Sequence, residues 1–240
     1  MDRLDKALGN LGIGTRKEVK TIIKSGSVKV NGAIETNSDR KISLEDILEL
    51  DGEILNRQEN YYFMMYKPVG CITATEDTRE STVMDYLSDR ERRMYLFPVG
   101  RLDKDTEGLL LITSDGKLGH HLTSPRHHIT KTYFARVQGK VSEQDQKAFQ
   151  DGVVLDDGYK SKPAELDILI SDEISEVRIR IQEGKFRQIR RMFESLGKLV
   201  IYLKREKMGT LELDPGLNPG EYRPLHPGEL ESLKKDMRQK

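Results

Sequence analysis

Leu4, Ala7, Leu8 and Leu11 fall three and four positions apart, the spacing that lines one face of a helix, and Gly12-Ile13-Gly14 breaks it. A second helix starts at once: Thr15 with Glu18 forms a capping pair, Val19, Ile22 and Ile23 make the buried face, and Gly26 stands where a left-handed residue ends a helix. The period then drops to two. Val28 and Val30 alternate with polar residues into Asn31-Gly32, the dipeptide of a tight hairpin. Helix, helix and ribbon make one small domain over residues 1–56, and the polar, aperiodic residues 56–60 read as a linker.

A second domain, residues 61–240, opens on Tyr61-Tyr62-Phe63-Met64-Met65-Tyr66, a strand by composition that Lys67-Pro68-Val69-Gly70 ends. Residues 74–81 read as a loop and 83–93 as a short helix. Leu109-Leu110-Leu111-Ile112-Thr113 is a buried strand, closed by the turn Ser114-Asp115-Gly116. A helical segment with His120 and His121 is broken by Pro125, residues 131–137 form a strand, and residues 142–150 form a capped helix. Strands are predicted at 164–170 and 176–181, the second with Val177, Ile179 and Ile181 inward and Arg178 and Arg180 outward. Gly184 then opens a helix whose apolar stripe is Ile189, Met192, Phe193 and Leu196; at helical spacing Arg190 borders that stripe, while Arg187 and Arg191 point toward solvent. A strand at 199–203, a charged stretch running into a glycine turn, and a closing helix marked by Leu230 and Leu233 complete the chain. Strands outnumber helices without regular alternation, so the fold class is α+β, with a largely antiparallel mixed sheet in the larger domain.

Composition adds one thing to this pattern. Lys plus Arg equals Asp plus Glu at 40 each, so overall charge points to no polyanion. Locally it does: residues 1–34 carry seven basic and three acidic side chains, residues 35–56 two basic and seven acidic, and residues 178–207 ten basic and three acidic. Two basic patches in a neutral chain fit a directed anionic ligand. Lys17, Lys20 and Lys24 share one face of the second helix with Arg16 at its start, which is either a solvated surface or a phosphate-binding one. The single Cys71 excludes an internal disulfide and fits a reducing compartment, and no apolar run is long enough to span a bilayer. His120, His121, His127 and His128 are adjacent pairs without a nearby thiol, a poor metal set.

The candidate chemistry lies in the loop before the buried strand. Asp103, Asp105 and Glu107 interleave with Arg101 and Lys104 between Gly100 and Gly108, so a rigid strand presents three acids. Spacing alone leaves two readings, a loop of surface ion pairs or one ionised carboxylate held beside a cation for chemistry. Leu102 can anchor the loop in the core and so aim Asp103, leaving Asp105 and Glu107 toward solvent.

Gly100-Arg101-Leu102-Asp103, with Thr106 after two residues and Gly108-Leu109-Leu110-Leu111 behind it, resembles the active-site motif of the pseudouridine synthases, in the RsuA branch. Tyr66-Lys67-Pro68-Val69-Gly70, Lys131-Thr132-Tyr133 and Gly184-Lys185-Phe186-Arg187-Gln188-Ile189-Arg190-Arg191-Met192 extend the likeness in order, to about Leu225. Arg3-Leu4-Asp5, Arg16-Lys17 and Val28-Lys29-Val30-Asn31-Gly32 resemble the S4-like RNA-binding domain. The resemblance implies an isomerase that detaches a uracil from its ribose, turns it and rejoins it through carbon, with no cofactor and no metal. It implies Asp103 as nucleophile, Arg190 as its basic partner and Tyr133 against the uracil, with Arg101 contacting substrate and Leu109 and Ile189 walling the pocket. Arg16, Lys17, Lys20, Lys24 and Asn31 are the implied RNA contacts of the first domain. Residues 123–133 resemble the branch that modifies small-subunit ribosomal RNA, which implies uridine 516 of 16S RNA, free or in an assembly particle, as target. A related branch acts on 23S RNA with the same residues, and an assembly factor without chemistry would keep the fold. A monomer in the cytoplasm is expected.

Overall fold

The computed structural model describes residues 1–58 and 60–238, the last by its backbone alone; Glu59 of the expected linker and the two final residues lie outside it. The first domain comprises β1 (Asp2–Arg3), α1 (Leu4–Gly9), α2 (Arg16–Lys24), β2 (Val28–Val30), β3 (Ala33–Ile34), β4 (Lys41–Ile42), β5 (Leu48–Leu50) and β6 (Glu53–Ile54). β3, β2, β5 and β6 form a four-stranded sheet, and β1 pairs separately with β4. Thr15 and Glu18 close the capping box at the start of α2, with Thr15 N–H donating to Glu18 Oε2 at 2.8 Å. Asn31 and Gly32 both take left-handed φ, 54° and 80°, as a two-residue turn between β2 and β3 demands. α1 is shorter than its periodicity predicts, but Leu11 still packs from the following turn with Leu4, Leu8, Val19, Ile23, Val28 and Ile42.

The second domain adds β7 (Tyr62–Lys67), α3 (Asp89–Arg93), β8 (Phe97–Val99), β9 (Glu107–Thr113), α4 (Gly116–Thr123), β10 (Lys131–Gln138), α5 (Glu143–Asp151), β11 (Glu165–Ile170), β12 (Ile174–Ile181), α6 (Gln188–Ser195), β13 (Leu199–Met208), β14 (Leu211–Glu212), β15 (Tyr222–Pro224) and α7 (Pro227–Arg238). Nine strands make one sheet in the order β11-β12-β10-β13-β9-β7-β15, with β14 beside β13 and β8 beside β9. Every pairing is antiparallel except that of β13 with β9. The α+β class with a largely antiparallel mixed sheet is therefore what the chain builds.

That one parallel pairing is the seam of the domain. Half of the sheet, β11-β12-β10-β13, packs its inner face with α5 and α6 around Ala135, Val137, Phe149, Val177, Ile179 and Phe193. The other half, around β7 and β9, is covered on both faces, by residues 83–96 on one side and by α4 and α7 on the other. The halves meet where Lys204 and Arg205 lie against Glu107 and Gly108. Gly108 makes the junction possible: a Cβ there would come within 2.3 Å of the Arg205 carbonyl oxygen. β13 accordingly runs on to Met208 instead of stopping at 203, and β9 begins at Glu107, two residues early. Arg205, at the start of the charged stretch expected to run into a glycine turn, is 2% exposed and donates from Nε to the Leu109 carbonyl at 2.8 Å.

Two further boundaries differ from the periodicity. Residues 83–93 split into a 3-10 turn and α3 because Leu87 is extended and Ser88 caps a new helix. α6 starts at Gln188, not at Gly184, since Arg187 takes a left-handed φ of 48° and cannot be its first turn. The domains touch where the Tyr95 ring lies on Gly9, so closely that a Cβ there would be 2.1 Å from the ring Cζ, with the Arg16 guanidinium 5.4 Å from the ring centroid. Among the described residues no helix is long and apolar enough to cross a membrane.

Candidate active site

Residues 100–106 cross the sheet's seam and are braced from below. Leu102 is buried, its N–H donating to Thr73 Oγ1 at 3.1 Å and its carbonyl accepting from the same hydroxyl at 2.8 Å. The Gly70 N–H donates to the Lys104 carbonyl at 2.8 Å. Lys67, fully buried, divides its ammonium between the carbonyls of Thr106 at 2.9 Å and Pro68 at 2.8 Å, and burial lowers its pKa. A lysine in that position ties the end of β7 to the end of the acidic loop. The Lys67-Pro68-Val69-Gly70 segment is thus the floor of the loop.

Three carboxylates enter the loop alike and leave it with different surroundings. Asp105, expected toward solvent, accepts both terminal nitrogens of Arg187, at 3.0 and 2.9 Å, and lies 3.3 Å from Arg190 Nε. Glu107, also expected toward solvent, accepts the hydroxyls of Tyr66 at 2.7 Å and Tyr202 at 2.5 Å. Burial, together with that carboxylate, pushes the Tyr66 phenol up to about 12 and raises Tyr202 as well. Asp103 forms no salt bridge or side-chain hydrogen bond among the described residues. Burial raises its pKa, Arg187 opposes that rise, Asp105 adds to it, and Arg190 and Arg101 pull it down. Asp115, at the far end of β9, caps α4 by accepting from the N–H groups of Lys117 and Leu118.

Asp103 lines a cavity of about 230 Å³ with Tyr133, Ile181, Ile189 and Leu203, and Arg101 and Phe186 are exposed along the same opening. A larger groove of about 1340 Å³ lies between α2 and residues 92–97, where the two domains meet. The small cavity holds the uncommitted acid, an aromatic side chain and apolar walls, so it is the candidate site. Tyr133 reaches it from β10, where a bulge against β13 between Thr132 and Tyr133 shifts the register.

The structure corrects two of the residues expected here. Arg190 is buried, but it does not pair with Asp103: Nη1 donates to the Val200 carbonyl at 2.7 Å and Nη2 to the Asp105 carbonyl at 2.8 Å. It holds the loop's backbone, and its influence on Asp103 is electrostatic and at one remove. Leu109 is fully buried with Met64, Val99 and Leu118 on the side of the sheet covered by α4 and α7, because alternation along β9 sends it away from the cavity. Ile181 and Leu203 wall the cavity with Ile189 instead. Asn31, exposed at its turn, also uses its amide inside its own domain, donating to Asp46 Oδ1 at 2.8 Å and accepting from the Ile47 N–H at 2.8 Å. Arg16, Lys17, Lys20 and Lys24 are exposed as expected, and Lys17, Lys20 and Lys24 form no salt bridge among the described residues.

Sequence reasoning missed Lys67, Thr73, Asp105 and Arg187 as supports of the loop. The first and last lie in segments singled out for their motifs, whereas nothing local marks Thr73. Among the described residues no group of three or more His, Cys, Asp or Glu is arranged to hold a metal; His121 and His127 stack with ring centroids 4.2 Å apart.

Comparison with known proteins bears on both domains. Residues 61–195 match the family model described as RNA pseudouridylate synthase, and residues 2–48 match that of the S4 domain. An uncharacterized RNA pseudouridine synthase of Bacillus subtilis is 44% identical over 96% of this chain and 98% of its own length. The ribosomal large subunit pseudouridine synthase B of the same organism is 39% identical over 98% and 96% of the two chains. The ribosomal small subunit pseudouridine synthase A of Haemophilus influenzae is likewise 39% identical, over 97% and 100%. A crystal structure of a pseudouridylate synthase superposes with a TM-score of 0.68 at 38% identity, covering 97% of this chain and all of that one.

Proposed function

Since the chain belongs to the RNA pseudouridylate synthase family, we propose that it isomerises one uridine of ribosomal RNA in the cytoplasm, uridine 516 of the 16S molecule, with Asp103 as the nucleophile. The observation that carries the assignment is the sorting of the acids. Asp105 and Glu107 are taken up by arginine and tyrosine partners, and Asp115 by a helix end, whereas Asp103 is half-buried, uncommitted and on the cavity wall.

The reaction breaks the bond between N1 of uracil and C1′ of ribose, turns the base and joins C5 to C1′. The proton on C5 leaves and N1 gains one, so atoms and electrons balance without a co-reactant. Asp103 bonds to the substrate while the base is detached and is released when C5 rejoins the sugar. Tyr133 supplies the flat wall against which the uracil turns; its hydroxyl gives its proton to N1 and, as the phenolate, takes the proton from C5, ending as it began. Ile181, Ile189 and Leu203 keep water from the detached base. Arg187 and Arg190 keep the Asp103 loop positively surrounded, Arg190 by gripping its backbone. The first domain holds the folded RNA through Lys17, Lys20, Lys24 and Arg16, contacts that fix position without reading sequence.

The 16S target rests on the likeness of residues 123–133 to the small-subunit branch. A 23S target is the second reading, favoured by the large-subunit relative at the same 39% identity. One experiment separates them: pseudouridine is mapped across both ribosomal RNAs in cells lacking this chain, then in the same cells given the wild type or Asp103→Asn. We expect one 16S pseudouridine to disappear, to return with the wild type and to stay absent with Asp103→Asn, whose turnover falls by roughly 10⁴-fold. Loss of a 23S pseudouridine instead transfers the target. Restoration by Asp103→Asn rules out the nucleophile.

A further inference from the structure

Phe186 is the exposed aromatic at the mouth of the Asp103 cavity, 73% exposed, and it makes no ring or cation contact among the described residues. A lone exposed apolar side chain is ordinary on a protein surface. What sets this one apart is the rigidity of its flanks. Glu183 is buried and accepts from the Tyr159 hydroxyl at 2.8 Å, the Lys162 N–H at 2.9 Å and Gln188 Nε2 at 2.5 Å. Gln188 in turn accepts the Lys185 N–H at 3.0 Å, and the Lys185 ammonium lies 4.6 Å from the Tyr159 ring centroid. On the other side Arg187 grips Asp105 with two hydrogen bonds and turns through a left-handed φ of 48°. The residue before Phe186 and the residue after it are therefore both tied down, and most of the phenyl ring stands in solvent without a ring or cation partner among the described residues.

We propose that Phe186 is a stacking platform for the nucleotide adjacent to the uridine that enters the cavity, and so a determinant of which uridine is accepted. The inference rests on the proposed function of the cavity. A cavity of about 230 Å³, with Tyr133 on its inner wall and Phe186 at its opening, suits a single base. Swinging that base out of the RNA leaves its neighbour with an uncovered face, and an aromatic ring held ready at the opening replaces the lost stack. Because the residues on either side of the ring are tied down before binding, ordering the loop costs the stacking little. Arg101, exposed beside the same opening, supplies the cation for the phosphate between the two nucleotides. A ring reads the face and size of its neighbour, so the platform favours uridines flanked by a base that stacks well.

The test uses the full chain with ribosomal RNA from cells lacking it, comparing wild type, Phe186→Ala, Phe186→Leu, Phe186→Trp and Asp103→Asn under single-turnover conditions. Phe186→Ala should lower kcat/KM by about fivefold to a hundredfold, the range that one base–aromatic stack commands, with an unchanged Tm. Phe186→Trp should restore the rate and Phe186→Leu should not. A second readout is a short RNA hairpin carrying the mapped uridine with 2-aminopurine beside it. Its fluorescence should be quenched by Asp103→Asn protein that retains Phe186, and not by the same protein carrying Phe186→Ala. Wild-type rates for Phe186→Ala, or full rescue by Phe186→Leu, overturn the platform and leave the function of the cavity standing. Turnover by Asp103→Asn overturns instead the assignment of this cavity as the site of reaction, on which the platform rests.

Discussion

The two basic stretches of this chain look alike by charge, +4 over residues 1–34 and +7 over residues 178–207, yet the fold puts them to opposite uses. On α2, Lys17, Lys20 and Lys24 stay exposed and form no salt bridge among the described residues, so their charge remains available to a ligand. In the second stretch seven of the ten cations pair with acids among the described residues, Lys207 with Glu212 being one. Arg187 and Arg190 take Asp105, Arg191 takes Asp156 and Asp157, Lys198 takes Asp145, Arg178 takes Glu206, and Arg180 takes Glu165 and Asp167. A charge sum over a window counts side chains, while a ligand feels only what tertiary pairing leaves over. The more basic stretch is therefore mostly spent on the scaffold, and the less basic one keeps its charge for a ligand, which we propose is RNA.

If that division is right, neutralising the two stretches must fail in different ways. Arg190→Ala leaves the Val200 carbonyl without its buried donor and releases the backbone of Asp105, so it should cost roughly 2–3 kcal/mol of stability, a fall in Tm of roughly 5–10 °C. The loosened loop should lower turnover by about 100-fold. An intact Tm in Arg190→Ala would show that the second stretch is not scaffold. The smaller effect belongs to α2: replacing Lys17, Lys20 and Lys24 together by Ala should leave Tm and the rate on bound RNA unchanged. It should weaken binding about tenfold and flatten the plot of log affinity against log salt by about 2–3. Binding with the wild-type salt slope would remove α2 from the RNA contact.

How much of this was legible in the sequence follows from how local each signal is. The capping box at Thr15, the turn at Asn31-Gly32 and the alternation of Val177, Ile179 and Ile181 depend on residues a few positions apart, and all appear where expected. Elements failed where a distant strand decided them. Arg205 read as the start of a charged run into a turn, because nothing near it announces that Gly108 lets β13 close on β9 and bury it. The acidic loop was found by its motif, but the motif cannot say which cation reaches which acid. Arg187 lies on the far side of a left-handed turn that periodicity reads as helix, so its grip on Asp105 was invisible. Leu109 was misplaced for a simpler reason: a run of four apolar residues hides the alternation that tells one face from the other.

The subtlest consequence of the pairing is a pH effect of opposite sign in two variants of one ion pair. As the proposed nucleophile Asp103 must be ionised to attack, so kcat/KM should rise with pH as the free enzyme loses that proton. Burial sets its pKa above the ordinary carboxylate range; among the neighbouring charges, Arg187 pulls it down most and Asp105 pushes it up. Asp105→Asn removes a negative neighbour and frees Arg187, and each change favours the ionised form of Asp103, so the acid limb should move to lower pH. Arg187→Ala removes the strongest opposing cation and leaves Asp105 in place, so the limb should move to higher pH. At pH values well above the limb Asp103 is ionised in all three proteins, and Asp105→Asn should keep measurable turnover there. Arg190 still holds the loop in that variant by the Asp105 carbonyl, a contact the substitution does not touch. The check is kcat/KM against pH for the three proteins at constant ionic strength. Limbs displaced in the same direction, or not at all, would mean that the group titrating in the profile is not Asp103 and that Arg187 and Asp105 merely close the surface of the loop.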